Sequence, residues 1–523
     1  MSIGGSAKLA RQSAEGEAAA EAHELDDIVV GKDVLELVSS AMYIDPMTIY
    51  REYVQNAADA VEAARVEGSL GATEKGRVDI AVDPTSRTVR IRDNGCGIAF
   101  AKFGHRLTAL GASTKRGTAA RGFRGVGRLA GLGYAQELIF RSRVAGERKV
   151  SELRWDCRRL KALLRDDEDL GVADLIRSVT SLRRVSAENA PERFFEVELR
   201  GIVRLRNDRL LSPYAIGDYL SQVAPVPFSP DFRFGEELTN ALAQHCDMSA
   251  LDIRIDDAEQ PLYRPHRDRF LLEEKQDISF DSLTFLEIPG VEGEVAAVGW
   301  VLHHEYEGAV PTGTLVKGLR LRAGNIQVGD HALLEELFPE TRFNVWSVGE
   351  IHVLDRRIVP NGRRDHFEQN AHFHNMLNQL LPCARDIARR CRTSSVRRKW
   401  EREFAMHARI ASETLDVIAQ GGVGRAARDR AALTVEQVLL KMEKVSAMDL
   451  LAEGRESRDS VIEDTRTRLG DLMQDAVPVA SPLMRLPPKQ RKLYENFFEL
   501  VYECSVNRVA AKSLIDRIMM RLE

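Results

Sequence analysis

The chain has 523 residues, 44% of them hydrophobic and 29% charged, with a formal net charge of −5. That length predicts about two to four domains with sizeable cores, and the charge balance excludes a chain-wide electrostatic footprint for nucleic acid. The sequence has no run of about eighteen apolar residues that could cross a membrane, and its six scattered cysteines, with no Cys-x-x-Cys pair, fit a reducing compartment rather than a zinc site.

Residues 1–24 lack the compact apolar stretch of a signal peptide and read as a solvated tail. From 25 to 205 helix and strand signals alternate. In IYREYVQNAADAVEAARVEG, residues 49–68, a helix at about 100° per residue turns Tyr53, Ala57, Ala60, Val61 and Ala64 toward a core. Arg51, Gln55, Glu62 and Arg65 fall on the solvent side. Glu52, Asn56 and Asp59 lie on the border between the two. An acid–base carboxylate needs both water and partial desolvation, which such a border supplies. An amide oxygen one turn on can share Mg²⁺ with phosphate oxygens. The edge of any solvated helix reads the same way.

RVDIAVDPTSRTVRIRDNG alternates like two strands around a turn and runs into Asp93-Asn94-Gly95-Cys96-Gly97-Ile98. The strand fixes a carboxylate, and a glycine beyond it permits close backbone approach to a ligand; a plain tight turn has the same signature. Next comes ALGASTKRGTAARGFRGVGRLAG, where Gly122, Gly125 and Gly127 precede an apolar run and Lys115 and Arg116 add charge. Backbone N–H groups at such a loop can cradle phosphates, although the order fits neither a Rossmann fingerprint nor a Walker A loop, and a glycine-rich linker looks alike. A proline-marked junction spans about 206–230, and residues to 385 mix strand and helix signals. Beyond 386 the strands vanish, and Phe404, Ala408, Ala411, Leu415 and Ile418 step like a packed helical seam. His303-His304-Glu305 and His372-x-His374 do not converge on a helix, so no metal-histidine site is expected.

Between residues 52 and 127 three motifs arrive in order: Glu-x-x-x-Asn-x-x-Asp-Ala, Asp-x-Gly-x-Gly and Gly-x-Gly. The set resembles the GHKL ATPase superfamily of DNA gyrase, the ninety-kilodalton heat-shock chaperones, sensor histidine kinases and MutL-type mismatch-repair proteins. REYVQNAADA is most similar to the chaperone and MutL branches, whose glutamate activates water. The resemblance implies an α+β fold with a Bergerat-type α/β sandwich at 25–205 that binds ATP and Mg²⁺. It makes Glu52 the general base, Asn56 the Mg²⁺ ligand and Asp59 a support of the pocket. Asp93 would accept from the adenine amino group, with Gly95, Gly97 and Ile98 letting backbone and water approach the base. Lys115 would sit in the lid, and Gly122, Gly125, Val126 and Gly127 would form its hinge and phosphate loop. The family often has a Gly-Thr at the start of a late strand; RFFEVELRGI puts Phe194-Phe195 there.

The segment from Gly318 to Asn370 resembles the middle domain of the heat-shock chaperones, whose Asn-x-x-Arg-Glu sends an arginine to the γ-phosphate. Here the match is Asn361-Gly362-Arg363-Arg364-Asp365. Arg364 is the expected phosphate sensor with Arg363 second, and Lys317 stands where MutL-like relatives carry a transducer lysine. Residues 206–385 are thus expected to be an α/β transducer-like domain and 386–523 an all-α region for self-association or partner binding. The implied function is a cytoplasmic, dimeric, ATP-driven chaperone-like clamp with an unidentified protein client and no membrane contact. Two alternatives are a MutL- or MORC-like ATPase engaging nucleic acid through the arginine-rich 384–400 helix, and a nucleotide-gated scaffold in a bacterial defence or stress complex.

Overall fold

The computed structural model describes residues 32, 35, 45–71, 73–109, 127–166, 171–204, 207–271, 277–474 and 481–522. Lys115, Gly122, Gly125 and Val126 lie outside them. The architecture is α+β with a helical C-terminal region, as the sequence predicts.

Seven strands make the first sheet: β1 (Arg77–Asp83), β2 (Thr88–Asp93), β3 (Glu137–Arg143), β4 (Lys149–Asp156), β5 (Thr180–Ser186), β6 (Phe194–Arg200) and β7 (Asp252–Ile255), in the order β5-β4-β3-β6-β2-β1-β7. All pairs are antiparallel except β1 with β7. Period-2 alternation gives the sheet two different faces. Val78, Ile80, Val89, Ile91, Val197 and Leu199 point into the core. There they meet helices α1 (Thr48–Val66), α2 (Phe100–Thr108), α3 (Cys157–Arg165), α4 (Val172–Val179) and α5 (Pro213–Val223). The opposite face carries a charge ladder in which Arg141 joins Glu152, Glu196 and Glu198, while Arg92 and Arg183 extend it outward. This sheet and its core take in α5 and β7, well past residue 205.

The second sheet has the order β10-β11-β14-β12-β13. It follows α6 (Gly235–Ala243) and a small ribbon of β8 (Arg269–Phe270) and β9 (Ile278–Ser279). Its strands are β10 (Ser282–Pro289), β11 (Val295–His303), β12 (Gly318–Ala323), β13 (Ile326–Val328) and β14 (Val348–Val353). VAAVGWVLH of β11 is a continuous apolar run because both its faces are covered. Val301 and Ala297 pack toward α7 (Ala371–Gln420), whereas Val298, Trp300 and Leu302 pack toward α6. Helix α7 is 50 residues long, so residue 386 lies inside it rather than at an end. Its second half joins α8 (Arg425–Ser446) and α9 (Arg455–Met473) through Phe404, Ala411, Leu415 and Ile418, the seam read from the sequence, against Val435, Val438, Met442 and Val445. α10 (Pro488–Cys504) and α11 (Arg508–Met519) close a last small core around Phe498 and Ile515. Among the described residues no helix is long and apolar enough to cross a membrane, and all six cysteines are free thiols.

The joint between the two sheets is polar and buried. Glu350, fully shielded, pairs with Arg264 and Arg322. Arg322 also donates to the carbonyls of Gln222, at 2.6 Å, and Ala224, at 3.4 Å, where α5 ends. Arg320 reaches the Gln222 and Gln327 side chains at 3.0 and 3.1 Å. A buried charge left without its partner is costly, so this cluster holds the second sheet in one position relative to the first.

Candidate active site

Helix α1 is set at both ends. The Asp45 carbonyl accepts from the Thr48 N–H, at 3.1 Å, and the Asp45 carboxylate from the Met47 N–H, at 3.0 Å. At the far end Gly68, with φ 73°, lets Ser69 N–H reach the Ala64 carbonyl and its own N–H reach Arg65, an αL stop that only glycine takes cheaply. Tyr53, Ala57, Val61 and Ala64 are buried as expected, and Ala60, expected with them, is half-buried. Arg51 and Gln55, expected on the solvent side, are buried too, at 5% and 1% exposure. The helical pattern sees only one core, but the loop at 361–366 of the second unit covers the opposite side of α1. Arg51 donates to the Arg363 carbonyl at 2.9 Å and to the Arg364 carbonyl at 3.3 Å.

Glu52 is buried at the centre of this contact. Its Oε1 lies 3.5 Å from the Arg51 guanidinium and 3.9 Å from Arg364 Nε. Its Oε2 faces Gly127, so close that a Cβ there would fall within 3.0 Å of the oxygen. Gly127 opens a 3-10 turn, Gly127–Gly133, pinned to α1 by one hydroxyl: Tyr53 accepts from Gly131 N–H at 2.9 Å and donates to the Arg128 carbonyl at 3.3 Å. Asn56 is half-buried and Asp59 buried on the same helix.

Asp93 continues the inward series Val89, Ile91 of β2 and therefore points under α1 rather than into water. Burial pushes its carboxyl up to about 7, against the opposing pull of the Gly95 N–H, Arg193 and the Phe195 N–H. The Gly95 N–H donates to Asp93 Oδ1 at 2.9 Å. At Gly95 a Cβ would collide with the Ala60 backbone at 2.7 Å, and the Cys96 N–H donates to the Ala60 carbonyl, so this turn is clamped to α1. Gly97 combines φ 70° with the Arg143 carbonyl 2.5 Å from where a Cβ would stand. The Ser142 hydroxyl accepts from the Ile98 N–H at 2.7 Å and donates to the Phe194 carbonyl at 3.0 Å. Phe195 stands opposite Asp93 in the β2–β6 register.

The arginine motif forms a narrow loop bridged at Pro360 and Phe367. The Asn361 side chain holds Asp365 at 2.6 Å, and the Arg364 N–H donates to the Asn361 carbonyl. Arg364 has φ 55°, a left-handed conformation that costs a non-glycine residue energy and aims its side chain at Glu52. Arg364 is buried and Arg363 exposed. The Lys317 ammonium donates to the Thr312 hydroxyl at 2.9 Å.

The structure thus brings Glu52, Gly127 and Arg364 together and gathers Asp93, Gly95, Gly97 and Ile98 in one turn against the same helix. Sequence reasoning missed Arg51, Tyr53 as a tether, Arg193, Ser142 and Arg128. Burial, helped by Arg106, lowers the Arg128 guanidinium to about 10, and Arg128 donates to the Ala109 carbonyl. Only Arg51 carried a signal, a charged residue adjoining the glutamate. The histidines have local partners: His303 bonds Tyr306 and Thr284, and His304 bonds the Trp346 carbonyl. Glu294, Asp355 and His372 offer ligand atoms within 4.8 Å of one another, but Arg357 already pairs with both carboxylates.

No family model matches the chain. It is 29% identical over 217 residues to the chaperone protein HtpG of Idiomarina loihiensis, covering 38% of this chain and 32% of that protein. It is 26% identical over 199 residues to HtpG of Polaromonas naphthalenivorans, covering 34% and 30%. With HtpG of Mesorhizobium japonicum the identity is 33% over 92 residues, 17% of this chain and 14% of the relative. The chain therefore matches about a third or less of the length of these curated relatives, and over that part it is similar to heat-shock-type chaperones.

Proposed function

We propose that the chain is an ATP-binding and slowly ATP-hydrolysing, chaperone-like clamp of the heat-shock type, cytoplasmic and dimeric, acting on a protein client. The observation that carries this reading is the meeting of Glu52 with Arg364, a residue 312 positions away, beside a glycine that leaves the carboxylate room. The bare backbone of Gly97 and Gly127 lets the Arg143 carbonyl and the Glu52 carboxylate pack close, which fixes the turn after Asp93 and the position of Glu52.

In this mechanism Glu52 orients and deprotonates the attacking water. Arg364 faces the charge that develops on the transferred phosphoryl group, so hydrolysis depends on the second unit being docked. Arg51 holds the loop carbonyls that aim Arg364. Asp93 takes the adenine amino group, and Gly95, Gly97 and Ile98 shape the base pocket. Asn56 would hold Mg²⁺, supported by Asp59; the ion when bound neutralises phosphate charge. Lys115, Gly122, Gly125 and Val126 would close over the phosphates as a lid with Gly127.

The test is phosphate release by the full chain, with nucleotide binding measured separately using a non-hydrolysable ATP analogue. Wild type is expected to turn over slowly, and Glu52→Ala to bind the analogue yet hydrolyse at background. Equal hydrolysis in the two would remove Glu52 from the mechanism, and failure of wild type to bind the analogue would remove the proposal.

A further inference from the structure

The arginine-rich stretch of α7 has no part in that chemistry. At about 100° per residue, Arg389, Thr393, Arg397, Arg390 and Ser394 share an arc of about 140° on the helix. That arc forms one wall of a cavity of about 330 Å³. The opposite wall is the turn after β11, from His304 to Tyr306, and Leu450 closes one end. The turn is rigid: Tyr306 has φ 50°, its ring stacks on His304 at 4.4 Å, and its hydroxyl bonds His303 Nδ1 at 2.7 Å.

Two observations point to a ligand. Ser394 is 7% exposed, and its Oγ has no hydrogen-bond partner among the described residues. The Arg397 Nε is also buried without a hydrogen bond, its nearest carboxylate oxygen being that of Glu401 at 3.9 Å. Buried polar atoms are rarely left so. The existing ion pairs are moreover easy to exchange. Arg397 meets Glu305 at 2.7 Å, but the Glu305 side chain is 60% exposed, and such pairs contribute little. Arg389 and Arg390 share the single carboxylate of Asp386, whereas Arg397 faces two, Glu305 and, at 3.9 Å, Glu401.

The geometry points to a binding site for the phosphoryl group of a small phosphorylated molecule in the recess between α7 and the His304–Tyr306 turn. Arg390 and Arg397 grip its oxygens through charge-assisted bonds, and Ser394 donates its hydroxyl. The volume falls in the range of small-ligand pockets, about 300–1,000 Å³. A nucleic-acid backbone asks instead for a row of cations along an open surface. The site is independent of Glu52 and of nucleotide hydrolysis.

The experiment is calorimetric titration of the full chain with inorganic pyrophosphate, repeated with orthophosphate and with a single-stranded oligonucleotide. Wild type, Glu52→Ala and Arg402→Gln (a surface charge on the far side of α7) are expected to bind pyrophosphate alike, more tightly than orthophosphate. The Arg390→Gln/Arg397→Gln double variant should bind at least tenfold more weakly. Thr393→Glu, an exposed substitution that leaves the packing alone, should abolish binding by placing a carboxylate in the recess. Unchanged affinity in these variants overturns the site, including the case where pyrophosphate sits in the nucleotide cleft instead. An equal loss in Arg402→Gln reduces it to general surface charge, and also overturns it. So does an oligonucleotide that depends on Arg390 and Arg397 when pyrophosphate does not.

Discussion

Gly127→Ala separates packing from chemistry in one methyl group. Gly127 has no positive φ, so its backbone accepts alanine. The new Cβ would lie 3.2 Å from Glu52 Cδ and closer still to Oε2. The carboxylate must retreat by about 1 Å to reach ordinary contact, and a displacement of that size at a reacting group costs about 10²-fold in rate. The moving atom is the end of a flexible side chain rather than backbone, so the expected change in melting temperature is only a degree or two. Phosphate release should therefore fall about 100-fold while analogue binding and thermal stability stay near wild type. In a Glu52→Gln background the same methyl should do nothing further to hydrolysis, since the group it displaces no longer acts. Hydrolysis by Gly127→Ala within about threefold of wild type would refute the reasoning, because it would mean that the position of Oε2 does not matter. So would a further loss in the Glu52→Gln background, which would move the effect to phosphate binding.

Arg364→Ala should lower hydrolysis by about 10³-fold with little change in analogue affinity, whereas exposed Arg363→Ala should behave as wild type; equal rates for both variants would remove the loop from the chemistry. Asp93 has a folded-state carboxyl raised from 3.8 to about 7, so it holds its proton in the fold where the unfolded chain has lost it. Its contribution is intact below pH 3.8 and is lost as pH rises through about 7, a decline on the order of 4 kcal/mol. Urea denaturation of Asp93→Asn should lack this component between pH 4 and 8, and parallel profiles for variant and wild type would rule it out. At Glu350, burial opposes ionisation, but Arg264 and Arg322 overcome it and hold the carboxyl well below 4.5. That stabilisation is present above pH 4.5 and lost as pH falls toward the folded value. Glu350→Gln, which leaves two buried guanidiniums short of a partner, should cost about 3–5 kcal/mol at pH 7 by denaturant melts, and a loss under about 1 kcal/mol would show the cluster to be dispensable.

Local pattern made much of the fold legible. The alternation in RVDIAVD and TVRIRD gave strands whose inward residues are Val78, Ile80, Val89 and Ile91, and the same alternation carried Asp93 to the buried face. The heptad-like steps after 403 gave the seam of α7. Less legible was which segments belong together. The prolines at 213, 225 and 227 mark a junction with one helical run; Pro213 opens that helix, which packs in the first core with Ser212 as its cap, and β7 adds an edge strand to the first sheet. A parallel edge pairing between residues 175 positions apart leaves no periodic trace in either segment.

The site was legible for the same reason that it was incomplete. A helical projection assigns each residue to one core, and it puts Glu52 on a border, a position that suits a group needing both a wall and a water. It then hands Arg51 and Gln55 to solvent, because one helix cannot announce a second wall supplied from residue 361 onward. The buried Arg51 turns the border into an interface: its guanidinium touches Glu52 on one side and the Arg363 and Arg364 carbonyls on the other. Two adjacent residues of α1 thus divide one task, Glu52 facing the reaction and Arg51 the element that delivers the opposing charge. Arg51 and Glu52 stand about 100° apart on α1, and one partner placed against both can serve the pair. The left-handed Arg364 fills that place, held by Asn361 and by the Gly329 N–H at 2.9 Å. Through Gln327, which donates to the Gly329 carbonyl at 3.0 Å and accepts from Arg320 at 3.1 Å, this loop is hydrogen-bonded to the buried charge cluster at the joint. Any motion that opens that joint must therefore also move the arginine that faces Glu52.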